Sequence, residues 1–506
     1  MTRGPEPAPV PATLGPVAAG ALVFGSSAAV LVVELTALRL LAPYLGLTLE
    51  TSTIVIGIAL AAIAAGAWAG GRAADTMPPR NALGPLLAAS GVAVAATPFV
   101  VRAAGETAGS GGALLVAMLA ILVPGALLSA VSPMVTKLVL TDLAETGSVV
   151  GRLSGIGTVG AIAGTVLTGF VFVAALPVSA VLVTTGVLLV VAAVAVELRV
   201  RGVRAAVLPA VLLVPGAVGA ALGPGQCEAE TVYHCAQVLT DPERPTGRVL
   251  VLDGLRHSYV DLEDPTHLEF EYVQALAAVA DTGFPADTPL AAYHLGGGGL
   301  TLPRYLAQAR PGTTSVVSEI DPGVLELDEE RLGLVTRAGL EVRVEDARLG
   351  VRTLGTDSRD LVVGDAFGGL SVPWHLTTRE ALTEVRRVLR PDGVYAANLI
   401  DHAPLGFARA ELATMRTVFD HVALAADPVT LARGVGAGGN LVAIGSDAPL
   451  DLPALREGFA AQGLAWGVVE GAELDTWVGD AMVLTDDHAP VDQLLTPYPT
   501  ARRPVV

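Results

Sequence analysis

Seven runs of predominantly apolar residues fill the first 222 positions, near 17–41, 53–71, 84–101, 113–136, 153–175, 177–196 and 205–222. A helix needs about 20 such residues to cross the hydrocarbon core of a bilayer. No other backbone form except a closed barrel satisfies its own polar groups there. The runs therefore predict a multi-pass bundle of about seven α-helices over residues 17–222, in a lipid bilayer, after a disordered stretch at 1–16. The first run is not a cleavable signal peptide, because it is long, carries Glu34 and Arg39, and follows a Pro-rich rather than a basic segment. Gly and Ala dominate the runs, and small residues let helix backbones approach closely, so compact packing is expected.

The bulk figures of 52% hydrophobic and 16% charged residues average two populations. Residues 1–222 hold ten basic and eight acidic side chains, whereas 223–506 hold twenty-one and forty-one, so the net charges are +2 and −20. A domain that acidic repels phosphate backbones, which excludes nucleic acid as a partner and favours a small cationic one. A merely solvated acidic surface is the alternative. Arg3, Arg72, Arg80, Lys137, Arg152, Arg199, Arg201 and Arg204 fall on one side of the expected spans, and only Arg102 falls clearly on the other. The positive-inside rule puts the N-terminus in the cytoplasm, and an odd number of spans then sends the acidic domain outside. One span more or fewer reverses that side. Cys227 and Cys235, the two cysteines of the chain, follow the last run. They are either a small disulfide loop, which agrees with an external domain, or incidental thiols. Glu34 lies inside the first span, either as a functional group or ion-paired with Arg39 or a neighbouring helix. No zinc-type spacing occurs, so no metal is expected.

From Gly247 the pattern changes to short β-branched runs. Residues 248–253 and 258–262, separated by Asp253-Gly254, predict a β-hairpin, and residues 267–281 a helix. Strands then alternate with helices at 290–295, 315–320, 340–344, 360–365 and 393–399, which predicts a doubly wound, largely parallel sheet. This divides the soluble part into a linker and small β-subdomain at 223–285 and a Rossmann-like domain at 286–506. Ligands bind outside the carboxyl ends of such strands. Gly296, Gly297, Gly298 and Gly299 follow the first strand, where glycine lets the backbone approach a ligand. Glu319 closes the second, where a carboxylate can accept both hydroxyls of a ribose. Together they predict nucleoside binding. Asp346 follows the third strand, either facing an adenine amino group or capping a helix. Asp365 follows the fourth. An alkylammonium, with a pKa of about 10, attacks nothing until it loses a proton. Asp365 is placed to take it, or else caps the next loop.

The order Val251-Leu252-Asp253-Gly254, Glu269-Phe270-Glu271-Tyr272, the glycine cluster, Glu319-Ile320-Asp321, Asp346-Ala347, Asp365 and Arg390-Pro391-Asp392-Gly393-Val394 resembles the spermidine synthase family over about residues 247–445. The apolar half, Thr301-Leu302-Pro303-Arg304 and His375-Leu376-Thr377-Thr378-Arg379-Glu380 are similar to its membrane-fused bacterial branch. The resemblance implies a small N-terminal β-domain joined to a Rossmann-like, AdoMet methyltransferase-type domain. It also implies ribose binding by Glu319, adenine binding by Asp346, Asp365 as catalytic base and Tyr272 lining an amine pocket. The substrates so implied are decarboxylated S-adenosylmethionine and an amine such as putrescine, with a homo-oligomer allowed. Several family positions differ. The aspartate expected in the glycine loop is Gly298 or Gly299, a second carboxylate after the base is Gly368, a Gln after the tyrosine is Val273, and a Tyr-Pro element is missing between Asp427 and Asn440. Intact S-adenosylmethionine as a methyl donor, or a non-catalytic nucleoside-binding membrane scaffold, are the alternatives these departures leave. The Thr485-Asp486-Asp487-His488 loop reads as a solvated connection.

Overall fold

A computed structural model describes residues 14–45, 49–107, 110–140, 145–173, 176–211, 227–335, 339–368 and 371–496. The chain divides into two compact units, one running to Gln226 and one from Cys227.

The first unit is all helix: α1 (Pro16–Leu45), α2 (Leu49–Thr76), α3 (Pro79–Thr107), α4 (Ser110–Ser129), α5 (Val131–Val139), α6 (Thr146–Leu167) and α7 (Val178–Val200). Six stretches among the described residues are long and apolar enough to cross a membrane, α4 and α5 supplying one of them between Met118 and Val139. They correspond to the first six apolar runs. The seventh run is helical over 203–211, and its remainder lies outside the described residues. Small residues set the contacts, as the composition predicts. A Cβ on Gly91 would lie 2.5 Å from the Gly186 carbonyl oxygen, and one on Gly160 would lie 2.3 Å from that of Phe24, so any larger side chain separates α3 from α7 or α6 from α1. The outer surface of α6 presents Val159 and Ile162, both more than half exposed. Glu34 is half-buried on α1.

The second unit opens with a disulfide between Cys227 and Cys235. Strands β1 (Ala229–Glu230), β2 (Cys235–Thr240), β3 (Gly247–Leu252) and β4 (Leu255–Asp261) follow as one antiparallel sheet in chain order. The expected hairpin is its β3–β4 half. Asp253 and Gly254 both have positive φ, the conformation a two-residue hairpin turn requires. Helix α8 (Glu271–Gly283) leads into β5 (Ala291–Leu295), α9 (Thr301–Ala309), β6 (Thr314–Glu319), α10 (Pro322–Glu330), β7 (Leu340–Val344), α11 (Ala347–Arg352), β8 (Arg359–Gly364), α12 (Arg379–Val388) and β9 (Leu389–His402). After α13 (Gly406–Met415) come β10 (His421–Ala426), α14 (Pro428–Leu431), β11 (Gly438–Ser446), α15 (Leu452–Ala461) and β12 (Gly467–Glu470).

These strands form an eight-stranded sheet in the order β12-β10-β11-β9-β8-β5-β6-β7. The five strands from β9 to β7 are parallel, as the alternation predicts. The far edge is not, because β10, β11 and β12 pair antiparallel and make the sheet mixed. Helix α14, four residues long, is too short for the crossover that a parallel connection needs, so β10 returns directly into β11. Helices cover both faces. Ala275, Ala277, Ala278 and Phe459 pack on one and Val385, Phe407 and Leu412 on the other, all at most 2% exposed. Each large side chain so buried contributes about 1.5–3 kcal/mol. The chain leaves β5 toward β6 on one side and β8 lies on the other, so the sheet opens a crevice at the carboxyl end of β5.

Candidate active site

A cavity of about 850 Å³ occupies that crevice, lined from β4, the loop before α8, the carboxyl ends of the parallel strands and the antiparallel edge. Every residue the sequence singles out for ligand contact lines it except Gly299. Gly296 is the pivot. Its φ is +95°, and a Cβ there would lie 2.4 Å from the Asp365 carbonyl oxygen, so only glycine lets the ends of β5 and β8 adjoin. The next two amides turn back onto β6, where Gly297 and Gly298 donate to Oε2 of Glu319 at 2.8 and 3.2 Å. The Asp321 amide donates to Oε1 at 2.9 Å. Glu319 is thus fixed by three backbone donors while still lining the cavity, and about one acceptor site, on Oε1, is left for a ligand.

Gly299 differs from its neighbours. Its amide donates to Ser258 Oγ of β4 at 2.9 Å, and a Cβ would lie 3.0 Å from both Ser258 Cβ and Val260 Cγ2. A Cβ on Gly298 would lie 2.7 Å from Ser258 Oγ. The loop is glycine here because β4 presses on it.

Asp346 caps a helix, as one of its two readings expects, and it also lines the cavity. Oδ1 caps α11 by accepting from the Arg348 and Leu349 amides at 2.8 and 3.4 Å, while Oδ2 accepts from His375 Nε2 at 3.0 Å. A carboxylate accepts about four hydrogen bonds, so one acceptor site is left for the cavity. Among the described residues no backbone amide donates to the Asp365 side chain. Its carboxylate accepts from Asn398 Nδ2 at 2.8 Å and from the Tyr272 hydroxyl, and Asn398 Oδ1 in turn accepts from Asn440 Nδ2 at 2.9 Å. Burial raises the Asp365 pKa to about 6 against the pull of those two donors. On the β4 side, burial and the neighbouring His234 lower that of His257 to about 4, so its imidazole is neutral.

Asn398, Asn440, His257, Glu271, Asp427 and Trp466 also line the cavity, and sequence reasoning assigns no role to any of them. Asn398 was within reach of the strand-end rule, since it stands near the carboxyl end of β9. Trp466 was not. It comes from the segment before β12, and its Nε1 donates to Glu271 Oε2 across 195 residues of chain. The Thr485-Asp486-Asp487-His488 loop is solvent-exposed at Asp486, Asp487 and His488, as expected, and Asp486 also forms a bidentate pair with Arg348 at 2.8 and 2.5 Å. Among the described residues there is no group of three or more metal-ligating side chains.

No family model matches the chain. Among curated proteins, a polyamine aminopropyltransferase of Vibrio vulnificus is 34% identical over 127 residues, covering 25% of this chain and 42% of that protein. A probable polyamine aminopropyl transferase of Bifidobacterium longum is 29% identical over 282 residues, covering 53% of this chain and 61% of that one. The chain spans about half the length of the curated relatives it matches. A solved structure described as a probable spermidine synthase from Corynebacterium glutamicum is 30% identical, with 53% of this chain covering 98% of that one at a TM-score of 0.48. Strand order and glycine crevice define a Rossmann-like domain of the methyltransferase type. Over part of its length the chain is similar to proteins named polyamine aminopropyltransferases and to a probable spermidine synthase.

Proposed function

We propose that the second unit transfers an aminopropyl group from decarboxylated S-adenosylmethionine to a small amine such as putrescine, and that the first unit anchors it in a membrane. In the proposed reaction the amine nitrogen forms a bond to the aminopropyl carbon next to the sulfonium, the carbon–sulfur bond breaks, and methylthioadenosine leaves. The proton removed from the ammonium goes to Asp365. Glu319 holds the ribose, the free acceptor of Asp346 takes the adenine amino group, and the Gly296–Gly298 turn lets the nucleoside approach the backbone. Tyr272 lines the amine end.

The observation that carries this reading is the environment of Asp365. It is a carboxylate at the strand switch point, oriented by Asn398 and Tyr272, with a pKa of about 6. That value leaves it largely ionised, yet still basic, at neutral pH. Incubating the full chain with decarboxylated S-adenosylmethionine and putrescine tests it. Stoichiometric methylthioadenosine and spermidine are expected, and neither product would overturn the reading. A second reading has one specific support. A Cβ at Gly298 would crowd Ser258 and one at Gly299 would crowd Ser258 and Val260, which disfavours a carboxylate there that would meet the amine of the decarboxylated donor. Intact S-adenosylmethionine carries a carboxylate of its own that such a group would repel. Methylated amine together with S-adenosylhomocysteine would establish methyl transfer instead.

The external face is proposed for the second unit. The disulfide supports it, since such bonds persist in oxidising compartments. So do the loop charges: with an N-terminus inside, alternation of the six described stretches keeps Arg80, Lys137, Arg152 and Arg199 on the cytoplasmic side. Six crossings return the chain to that side, so this reading needs a seventh through 205–222. A membrane-impermeant thiol reagent applied to reduced intact cells should label Cys227 and Cys235. Labelling only after lysis would place the unit inside.

A further inference from the structure

The Asp486 loop reaches the nucleoside end of the cavity through a chain of hydrogen bonds. Asp486 sits in a tight turn closed by Thr485 and His488, whose backbone groups bond each other in both directions, and its amide donates to Glu380 Oε2 at 3.0 Å. Its carboxylate receives both ends of the Arg348 guanidinium and the Thr378 hydroxyl, the latter at 2.7 Å. Arg348 Nη1 also donates to the His375 carbonyl at 2.8 Å, and its own amide donates to Asp346 Oδ1. His375 Nε2 then donates to Asp346 Oδ2. A fork of parallel charge-assisted bonds fixes orientation in a way that a lone surface ion pair does not.

This arrangement controls what Asp346 can do. Both Asp346 and His375 line the cavity, and three of the roughly four acceptor sites on the carboxylate are already taken. The direction of the remaining one depends on where His375 holds Oδ2. His375 in turn belongs to the segment tied down by Arg348 and Asp486. If that tie is cut, the cap from Oδ1 survives, but the His375 carbonyl loses its Arg348 donor and the local turn at Trp374–Leu376 is left to hold the imidazole against Oδ2.

We infer that Asp486, Arg348 and His375 form a positioning relay that aims the free acceptor of Asp346 at the 6-amino group of a purine, and so sets selectivity for adenine over 6-oxopurines. This rests on the nucleoside reading above. Asp486 and Arg348 touch no ligand; they act through His375 and Asp346.

The test compares 5′-methylthioadenosine with 5′-methylthioinosine, which carries an oxygen in place of the 6-amino group. Binding of each is measured by calorimetry on the full chain in lipid nanodiscs. The wild type should prefer the adenosine form by about tenfold, the size of one buried hydrogen bond to a charged group. Asp486→Asn and His375→Ala should weaken binding of the adenosine form by about three- to tenfold and leave the inosine form nearly unchanged, so that the preference shrinks. Arg348→Lys, which keeps the charge but loses the fork, should do the same and serves if Asp486→Asn does not fold. An unchanged preference in these variants would overturn the relay while leaving the nucleoside site standing. Equal loss for both ligands would also overturn it, since that is what general loosening of the loop produces. A wild type that binds neither ligand would remove the nucleoside reading, and the relay with it.

Discussion

The two ends of the cavity are built differently. At the end proposed for the nucleoside the groups are backbone amides and carboxylates at the ends of adjacent parallel strands, and Glu319 is held by three amides from two neighbouring turns. At the end proposed for the amine they are side chains from distant elements: Tyr272 from α8, Asn398 from β9, Asn440 from β11 and Trp466 from the segment before β12. The first end is a consequence of topology. Any sheet with this strand order brings those residues together. The second is a set of separate choices from elements far apart in the chain. Nucleoside binding and amine transfer should therefore be separable by mutation.

Asp365→Asn tests that separation with the largest effect. It keeps size and shape, and Asn398 and Tyr272 remain to hold it, but it cannot take the proton. Turnover should fall by about 10² to 10⁴ while affinity for methylthioadenosine changes little. Both are to be measured on one preparation. Undiminished turnover would show that the carboxylate is not the base, and affinity falling in parallel would show that the two ends are one energetic unit.

Glu319→Ala should do the converse, with a smaller effect. Losing a charge-assisted bond of about 1.5–3 kcal/mol should weaken nucleoside binding about tenfold or more, with turnover at saturating donor reduced far less. Calorimetry with methylthioadenosine reads the first and steady-state kinetics the second. Unchanged affinity would mean that Glu319 serves only to hold the glycine turn, a role its three amide contacts would also explain.

The same contrast explains what was legible beforehand. Gly296, Glu319, Asp346 and Asp365 were accessible because each stands just past a β-branched run, and strand alternation alone orders those runs. The mixed edge was not, since β10 and β11 are apolar runs whose direction depends on the four-residue α14 between them. Nor was the dual use of Asp346, whose cap is local but whose His375 contact spans 29 residues. The Asp486 loop read as solvated because its partner Arg348 lies 138 residues away. Apolar periodicity reports burial, and it carries no information about which charged residue a surface carboxylate will meet.

The smallest and most discriminating effect concerns Tyr272. Two donors hold the Asp365 pKa down against burial, one from Asn398 and one from the Tyr272 hydroxyl. Asp365 acts as a base only when ionised, so kcat/KM should be constant above about pH 6 and fall about tenfold for each further pH unit below it. Tyr272→Phe removes a donor to the charged form and leaves the ring. The sign follows directly: the ionised carboxylate loses stabilisation, its pKa rises, and the acid limb moves from about 6 toward neutrality. At pH 6 the rate should drop several-fold, and at pH 8, where Asp365 is ionised in both proteins, it should be nearly preserved if the hydroxyl does nothing but tune the base. A loss of the same factor at both pH values would instead assign Tyr272 to holding the amine. The pH profiles of the two proteins, recorded with the same saturating donor, therefore decide whether the amine end has a binding contact on α8 or only a tuning one.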